Sequence, residues 1–182
     1  MTTIVDRDAK ILREHALDVP LRDIGSKKIA DTIRAMQEAL HAEDDGVAIA
    51  APQIGESLRI FVVNGEALSR INNKEAAGEV EAPVDVPDLI FINPKITKLS
   101  KKRAWMEEGC LSVRWLYGKV LRSEKATIVA YNEAGKKVQK GASGLLAQIF
   151  QHEVDHLDGV LFTDKAKDVE DVPPEKNEKD HV

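Results

Sequence analysis

The chain has 182 residues, of which 43% are hydrophobic and 31% are charged, and its formal net charge is −5. This composition fits one globular domain and argues against a general nucleic-acid binder, because phosphate neutralisation requires clustered lysine and arginine. No apolar run approaches the roughly 18 residues of a membrane-spanning helix, and residues 1–19 lack the features of a signal or transit peptide. We therefore expect a cytoplasmic monomer with neither a membrane nor a specific nucleic acid as a partner.

The first third of the chain predicts a helix, a loop and a strand. In residues 26–42 the apolar side chains recur at helical spacing, and Ser26 is a candidate N-cap. Residues 44–55 combine small side chains with Pro52, which favours a tight turn or loop. The sequence LRIFVVN at residues 58–64 then predicts a buried strand.

The middle of the chain predicts an insertion followed by a sheet. Residues 65–88 are polar, contain prolines and lack sustained periodicity, so we expect an exposed insertion. Residues 89–139 contain several short apolar stretches, and the turn sequence NEAG occupies residues 132–135. Antiparallel strands joined by hairpins are the structure that this pattern favours.

The last part of the chain predicts a helix and a tail. Residues 143–157 read as a helix, for which Ser143 is a candidate N-cap and Gly159 a stop. Residues 164–182 are rich in acidic side chains, interspersed with lysines and two prolines. We expect this tail to be disordered, because it has too few apolar residues to join a core.

The most informative motif is QHEVDHLDG at residues 151–159. Because His152 and His156 are four residues apart, a helix turns both imidazoles to one side, where they can bind one metal ion with Glu153 beside them. Such a metal lowers the pKa of water, and the carboxylate takes the proton. The alternative is a plain helix end, where histidine cations favour the helix dipole. The pair continues an apolar helix face, however, where unliganded imidazoles would lack partners.

A catalytic metal site with two imidazoles needs a third ligand. A histidine ten residues after His152 would complete one known pattern, but that residue is Phe162. A downstream carboxylate would have to be Glu170 or Glu175, both in the tail that we expect to be disordered. The remaining soft ligand is Cys110, the one cysteine of the chain, at the end of an apparent strand. Taken by itself, such a thiol is more often buried and inert, but the incomplete two-histidine site reverses that preference and favours Cys110 as a ligand.

Three segments together resemble the signature motifs of the peptide deformylase family, in the same order. They are GVAIAAPQ at residues 46–53, EGCLS at 108–112 and QHEVDHLDG at 151–159. The expected fold class is α+β, with antiparallel β-sheets packed around a C-terminal metal-binding helix and with an N-terminal helix. The resemblance implies a catalytic domain over residues 1–164, followed by the charged tail at 165–182.

The resemblance also implies a reaction and its residues. The reaction is removal of the formyl group from the N-terminal methionine of newly made proteins. The implied metal ligands are Cys110, His152 and His156. Glu153 would be the general acid and base, while Gln53 and the backbone N–H of Leu111 would stabilise the oxyanion. The implied substrate pocket consists of Gly46, Val47, Met106, Leu145 and Ile149. An ion pair between Glu108 and Arg122 is expected behind the metal.

One divalent metal ion is the expected cofactor. Two imidazoles and one thiolate suit zinc, iron or nickel, and the resemblance favours Fe²⁺. The implied partners are N-formylmethionyl nascent peptides, with a transient ribosome contact. Two alternatives stay open at this point: an HExxH metallopeptidase that cuts internal peptide bonds, and a non-catalytic metal-binding protein of the same fold.

Two segments depart from the family pattern. Ala48 stands where glycine is usual, and because alanine opposes a positive φ we expect a shifted loop. The sequence VRWLYG at residues 113–118 replaces a stretch that usually contains proline and glycine. Arg114, Trp115 and Tyr117 are therefore expected to reshape the substrate entrance, or else to form an ordinary strand edge.

Overall fold

The computed structural model describes residues 2–77 and 86–173. The helices are α1 (Lys27–His41), α2 (Gly65–Ala77) and α3 (Gly144–Leu157). The strands are β1 (Ala48–Ala50), β2 (Ile60–Val63), β3 (Leu89–Leu99), β4 (Arg103–Gly109), β5 (Leu116–Ser123), β6 (Lys125–Tyr131), β7 (Lys137–Ser143) and β8 (Lys167–Asp171). The predicted α+β class is confirmed. No helix in the described part of the chain has the length and apolarity needed to cross a membrane.

The strands form two antiparallel sheets. A five-stranded sheet has the order β1-β2-β3-β6-β7, and a three-stranded sheet has the order β4-β5-β8. Side chains of β2 alternate between the two faces of the larger sheet. Phe61 packs with Phe150 of α3 in one apolar cluster, while Ile60 packs with Met36 of α1 in another. The larger sheet is thus covered by α3 on one face and by α1 on the other, which explains why β2 is apolar throughout.

The first predicted helix and strand are confirmed, but the predicted loop between them is partly wrong. Ser26 caps α1, since its Oγ accepts a hydrogen bond from the Ile29 N–H at 3.4 Å. Within the predicted loop, Ala48–Ala50 form β1 and pair with β2. Pairing satisfies backbone groups that burial of this segment would otherwise leave without partners.

The prediction of an exposed insertion at residues 65–88 is wrong for its first half. α2 begins at Gly65, and Ala67 and Leu68 are buried. The Asn64 side chain caps this helix, because its Oδ1 accepts a hydrogen bond from the Ala67 N–H at 3.0 Å. This capping asparagine was the overlooked sequence signal. The rest of the predicted insertion at residues 78–85 lies outside the described residues.

The predicted disordered tail at 165–182 is wrong for Lys167–Asp171. These residues form β8, which pairs with β5 through Tyr117 and Glu170. The strand forms because an open edge of β5 would present unpaired backbone groups, which a neighbouring segment can satisfy whatever its composition. Residues 174–182 lie outside the described residues, and disorder there stays a prediction.

The predicted C-terminal helix is confirmed as α3, with one difference at its start and the expected glycine after its end. Ser143 occupies the N-cap position, but its side chain makes no capping hydrogen bond. Gly159 follows the helix with φ +76°, and a Cβ there would lie 2.8 Å from the Arg13 carbonyl oxygen. The helix therefore ends at a position that needs glycine both for its backbone conformation and for the close approach of the N-terminal segment.

Candidate metal centre

Cys110, His152 and His156 come together although 42 residues separate the thiol from the first histidine in the sequence. Their ligand atoms lie within 4.8 Å of one another, and Cys110 Sγ is 3.2 Å from His156 Nε2. Within the described residues, this is the one group of at least three histidine, cysteine or acidic side chains with such spacing. The thiol, rather than a carboxylate, thus lies where a third ligand is needed.

The strand pairing of β4 explains how Cys110 reaches α3. Gly109, the last residue of β4, pairs with Tyr117 of β5. A Cβ on Gly109 would lie 2.7 Å from the Tyr117 ring, so that only glycine leaves room for this side chain. Cys110 follows directly and lies in contact with the two histidines of α3. The glycine in EGCLS therefore serves the packing of β4 against β5.

The predicted ion pair between Glu108 and Arg122 is present and buried. Arg122 Nε donates to Glu108 Oε1 at 2.7 Å, and Nη2 donates to Oε2 at 2.9 Å. Glu108 Oε2 also lies 2.9 Å from His152 Nδ1. Because this contact occupies Nδ1, the Nε2 atom of His152 is the ring nitrogen that could bind a metal ion. Burial acts to raise the pKa of Glu108, but hydrogen bonds from Arg122 and His152 outweigh it and lower the pKa to about 2.

Sequence reasoning missed one member of this network, Asp155. Its carboxylate accepts hydrogen bonds from Arg122 Nη1 at 2.6 Å and from Lys165 Nζ at 2.7 Å. Asp155 follows His152 by three residues on α3, a spacing that places two side chains on neighbouring positions of a helix. That spacing was the available signal, and it links Arg122 to α3 by a second contact.

The environment of Cys110 favours deprotonation of its thiol to the thiolate. Burial acts to raise its pKa, but the charges and hydrogen bonds of His156 and His152 outweigh it and lower the pKa to about 5. Burial lowers the pKa of His152, yet its contacts with Cys110 and Glu108 outweigh that and raise the pKa above its ordinary value. Metal binding must therefore displace a proton from the site, as is usual for imidazole and thiolate ligands.

Glu153 is a buried carboxylate with an unused oxygen. It lines the cavity beside the ligands and is 3% exposed, and its Oε2 has no hydrogen-bond partner among the described residues. Burial raises the pKa of Glu153 to about 7, against the opposing charges of His152 and His156. Buried polar atoms nearly always have a partner. The free oxygen, together with the soft ligand set, fits a centre that receives a divalent metal ion and water.

Gln53 is held with its amide N–H directed at the metal centre. Its Oε1 accepts a hydrogen bond from the Ala50 N–H at 2.8 Å, which places Nε2 3.5 Å from Cys110 Sγ and 3.3 Å from Ser112 Oγ. Ser112 was not predicted as a site residue, although it belongs to the EGCLS motif. Leu111 lines the same cavity. A neutral donor is thereby fixed next to the thiol.

The site opens into a cavity of about 340 Å³. Of the five predicted pocket residues, Val47, Leu145 and Ile149 line it, whereas Gly46 and Met106 do not. A Cβ at Gly46 would lie 2.5 Å from the Leu40 carbonyl oxygen, so this glycine allows the chain to pass close to α1. Met106 pairs with Val120 and shares its strand face with the lining residue Glu108, so it is left out of the lining by its position farther along β4.

The positive φ on which the expected loop shift depended is absent at Ala48. Ala48 belongs to β1 and lines the cavity, and among the described residues only Asn93 and Asp168 combine a side chain with a positive φ. Alanine therefore causes no backbone strain at this position. The segment after the cysteine motif does shape the cavity, as expected, because Arg114, Trp115 and Tyr117 all line it.

Comparison with known proteins gives one consistent result. Residues 1–172 match the family described as Polypeptide deformylase. The chloroplastic peptide deformylase 1A of Solanum lycopersicum is 38% identical over 167 residues, which cover 91% of this chain and 59% of the tomato protein. The peptide deformylase of Halothermothrix orenii is 42% identical over 146 residues, which cover 80% of this chain and 82% of the bacterial protein.

The fold agrees with the sequence comparison. The crystal structure of the peptide deformylase from Thermotoga maritima superposes with a TM-score of 0.75 and 30% identity, covering 92% of this chain and 98% of that one. This chain thus spans nearly all of one bacterial relative but less than two thirds of the tomato protein.

Proposed function

The chain belongs to the peptide deformylase family, whose activity is removal of the formyl group from nascent proteins, and we propose that Cys110, His152 and His156 hold the metal ion for this reaction. The observation that carries the proposal is the convergence of one thiol and two imidazoles within 4.8 Å beside a buried carboxylate oxygen that has no hydrogen-bond partner in the described part of the chain. A divalent metal ion in this ligand set supplies a Lewis acid that lowers the pKa of water and makes a nucleophile available at neutral pH.

Glu153 moves the proton in this proposal. A general base works best when its pKa lies near the working pH, and burial raises the pKa of Glu153 to about 7. Its Oε2, for which the described residues provide no hydrogen-bond partner, can accept a proton from the attacking water. The same carboxyl group then delivers that proton to the amine that leaves as the formyl C–N bond breaks.

Gln53 stabilises the developing negative charge. Attack on the formyl carbon turns its carbonyl oxygen into an oxyanion, and a preorganised amide donor lowers the barrier without reorganising during the reaction. The contact between Gln53 Oε1 and the Ala50 N–H fixes the orientation of this amide. The backbone N–H of Leu111, next to the thiol, is the second donor.

The side chain of the formylated methionine binds against Val47, Leu145 and Ile149. These three residues line the cavity beside Glu153, and they offer an apolar surface that suits an unbranched thioether side chain. We further propose Fe²⁺ as the native metal, since a thiolate with two imidazoles suits iron, zinc and nickel and the family resemblance favours iron. A monomeric state, a cytoplasmic location and a transient ribosome contact stay predictions.

A peptide assay tests the function. Formyl-Met-Ala-Ser should release formate, while acetyl-Met-Ala-Ser should react far more slowly because its acyl carbon carries a methyl group. The Glu153→Gln variant should keep its metal and lose about 10²- to 10⁴-fold in rate, as expected for a lost general base. Glu124→Gln is the matched control, because Glu124 pairs with Lys102 away from the cavity. Cleavage of the internal peptide bond would favour a metallopeptidase, and loss of metal from Glu153→Gln would give Glu153 another role.

A further inference from the structure

The cavity extends beyond the part that the formylated methionine occupies. Residues of α3 line one part, and the segment Val113–Tyr117 lines another. A volume of about 340 Å³ lies within the range of about 300–1,000 Å³ that is typical of sites for whole small ligands. The cavity is therefore larger than one side chain requires, and the segment Val113–Tyr117 is available to the residues that follow methionine.

Arg114 anchors this segment to the loop that follows α1. Its Nη2 donates to Glu43 Oε2 at 2.6 Å, and its Nη1 donates to Asp45 Oδ2 at 2.7 Å. Two charge-assisted hydrogen bonds to separate carboxylates hold the guanidinium more firmly than a single exposed ion pair would. The position of the neighbouring aromatic side chain is fixed by the same contact, since the guanidinium lies 4.9 Å from the Trp115 ring centroid.

Trp115 and Tyr117 form an aromatic surface in the cavity. Trp115 lines the cavity while staying 36% exposed. Tyr117 lines it as well, with its ring packed against Gly109 next to Cys110. Large aromatic side chains that stay accessible beside a binding site offer apolar contact area at a low cost in conformational entropy.

The charges around this surface are predominantly negative. The guanidinium of Arg114 is matched by Glu43 and Asp45, and Glu107 adds another carboxylate to the cavity lining. These carboxylates would repel a negatively charged substrate side chain at close range. Electrostatic complementarity of this kind acts mainly on selectivity between substrates.

The alternation of an extended peptide directs the second side chain to this surface. Successive side chains of an extended chain point in opposite directions. If the methionine side chain lies against Leu145 and Ile149 of α3, the next side chain points away from α3. Residues of β1 and β4 also line the cavity outside α3, but its aromatic lining residues lie in the segment Val113–Tyr117.

We propose that Trp115 and Tyr117 bind the side chain of the substrate residue that follows formylmethionine. The inference rests on the proposed function and names its substrate class: formylated peptides with an aromatic or large apolar second residue. An acidic second residue is disfavoured by the surrounding carboxylates.

Three peptides and three variants test this selectivity. Formate release from formyl-Met-Phe-Ser, formyl-Met-Ala-Ser and formyl-Met-Asp-Ser gives kcat/KM for each, and we expect the order Phe, Ala, Asp. The ratio of Phe to Ala should be about three- to tenfold, the size of one aromatic contact. Trp115→Ala should bring that ratio close to one, whereas Trp115→Phe should keep most of it. Metal content and Tm, measured on every variant, show that the site and the fold persist.

Trp105→Ala is the matched control. Trp105 is 47% exposed and lies outside the cavity lining, and like Trp115 it has a cationic group 4.9 Å from its ring centroid, here that of a lysine. Equal kcat/KM for the three peptides, with formate released from each, would overturn the selectivity and leave the proposed function standing. A Phe preference that survives Trp115→Ala, or that Trp105→Ala removes equally, would overturn the assignment to Trp115. Absence of formate from every peptide with metal-loaded protein would overturn the function and the selectivity together.

Discussion

Replacing Arg122 by leucine should destabilise the protein because it leaves the Glu108 carboxylate buried without its cation. The Arg122 and Glu108 side chains are 5% and 2% exposed, and two hydrogen bonds of 2.7 and 2.9 Å join them. Removing one partner of a buried ion pair typically costs about 3–5 kcal/mol, mostly because the other charge stays buried. We expect a loss of this size in the free energy of unfolding at pH 7.

The pH dependence of the loss identifies its cause. In the parent protein the folded-state pKa of Glu108 is lowered to about 2, from 4.5. A lowered carboxyl pKa contributes stability that is fully present above the unfolded value, and this contribution disappears as the pH falls through the folded value. Without Arg122, burial raises the pKa of Glu108. As the pH falls, the Glu108 carboxylate of the variant therefore takes up a proton, and the cost of burying its charge disappears. The difference between Arg122→Leu and the parent should therefore shrink as the pH falls from the raised pKa of Glu108 in the variant, which lies above 4.5, to the parent value of about 2.

Urea unfolding at several pH values measures this difference, with both proteins freed of metal by a chelator. Glu108→Gln in the Arg122→Leu background should recover part of the stability, because it removes the buried charge. Lys102→Met is the matched control, since the exposed pair of Lys102 and Glu124 at 2.9 Å should contribute only about 0–1 kcal/mol. A loss below about 1 kcal/mol for Arg122→Leu, or a loss that does not change with pH, would refute the reasoning.

Three other predictions concern the metal and the oxyanion donor. Cys110→Ala should fold but retain little metal after dialysis, as measured by elemental analysis. A metal content close to that of the parent would contradict Cys110 as a ligand and favour a carboxylate instead. Protein purified without oxygen and loaded with Fe²⁺ should lose activity in air through oxidation of the metal or of Cys110, while the Ni²⁺ form should keep it; an iron form no more active than an aerobic zinc form would remove iron from the proposal. Gln53→Ala should lower kcat by about 10²- to 10³-fold with unchanged metal content, and a change confined to KM would contradict an oxyanion role.

The helix that carries the metal ligands was predictable because the information is local. The spacing of His152 and His156 places both imidazoles on one side of any helix, and the apolar positions of residues 143–157 determine that a helix forms there. The same periodicity predicted α1. By contrast, α2 was missed because its apolar residues are few and its start depends on one capping contact from Asn64.

The substrate cavity was only partly predictable, because facing a cavity depends on neighbouring elements. Val47, Leu145 and Ile149 line it as expected, whereas Met106 lies farther along β4 than the lining residues and Gly46 serves the packing of α1. At Ala48 the sequence suggested a backbone problem that the structure does not have. Ala48 pairs with Val63 in the sheet and does not adopt the positive φ that was expected of a loop at this position. Pairing partners are remote in the sequence, and so their effect on one residue cannot be read from its neighbours.

By itself the sequence determined which side chains can bind a metal and that two of them share one helix face. It favoured Cys110 over a downstream carboxylate as the third ligand, but it did not show how the thiol reaches the histidines. The tertiary structure supplies that approach: the pairing of β4 with β5 carries Cys110 to α3, while Glu170 is held in β8 opposite Tyr117. The physical reason is that helix periodicity arises from hydrogen bonds between near neighbours. The approach of a strand end to a helix arises instead from packing and pairing across the whole chain, which fixes the distance between residues far apart in sequence.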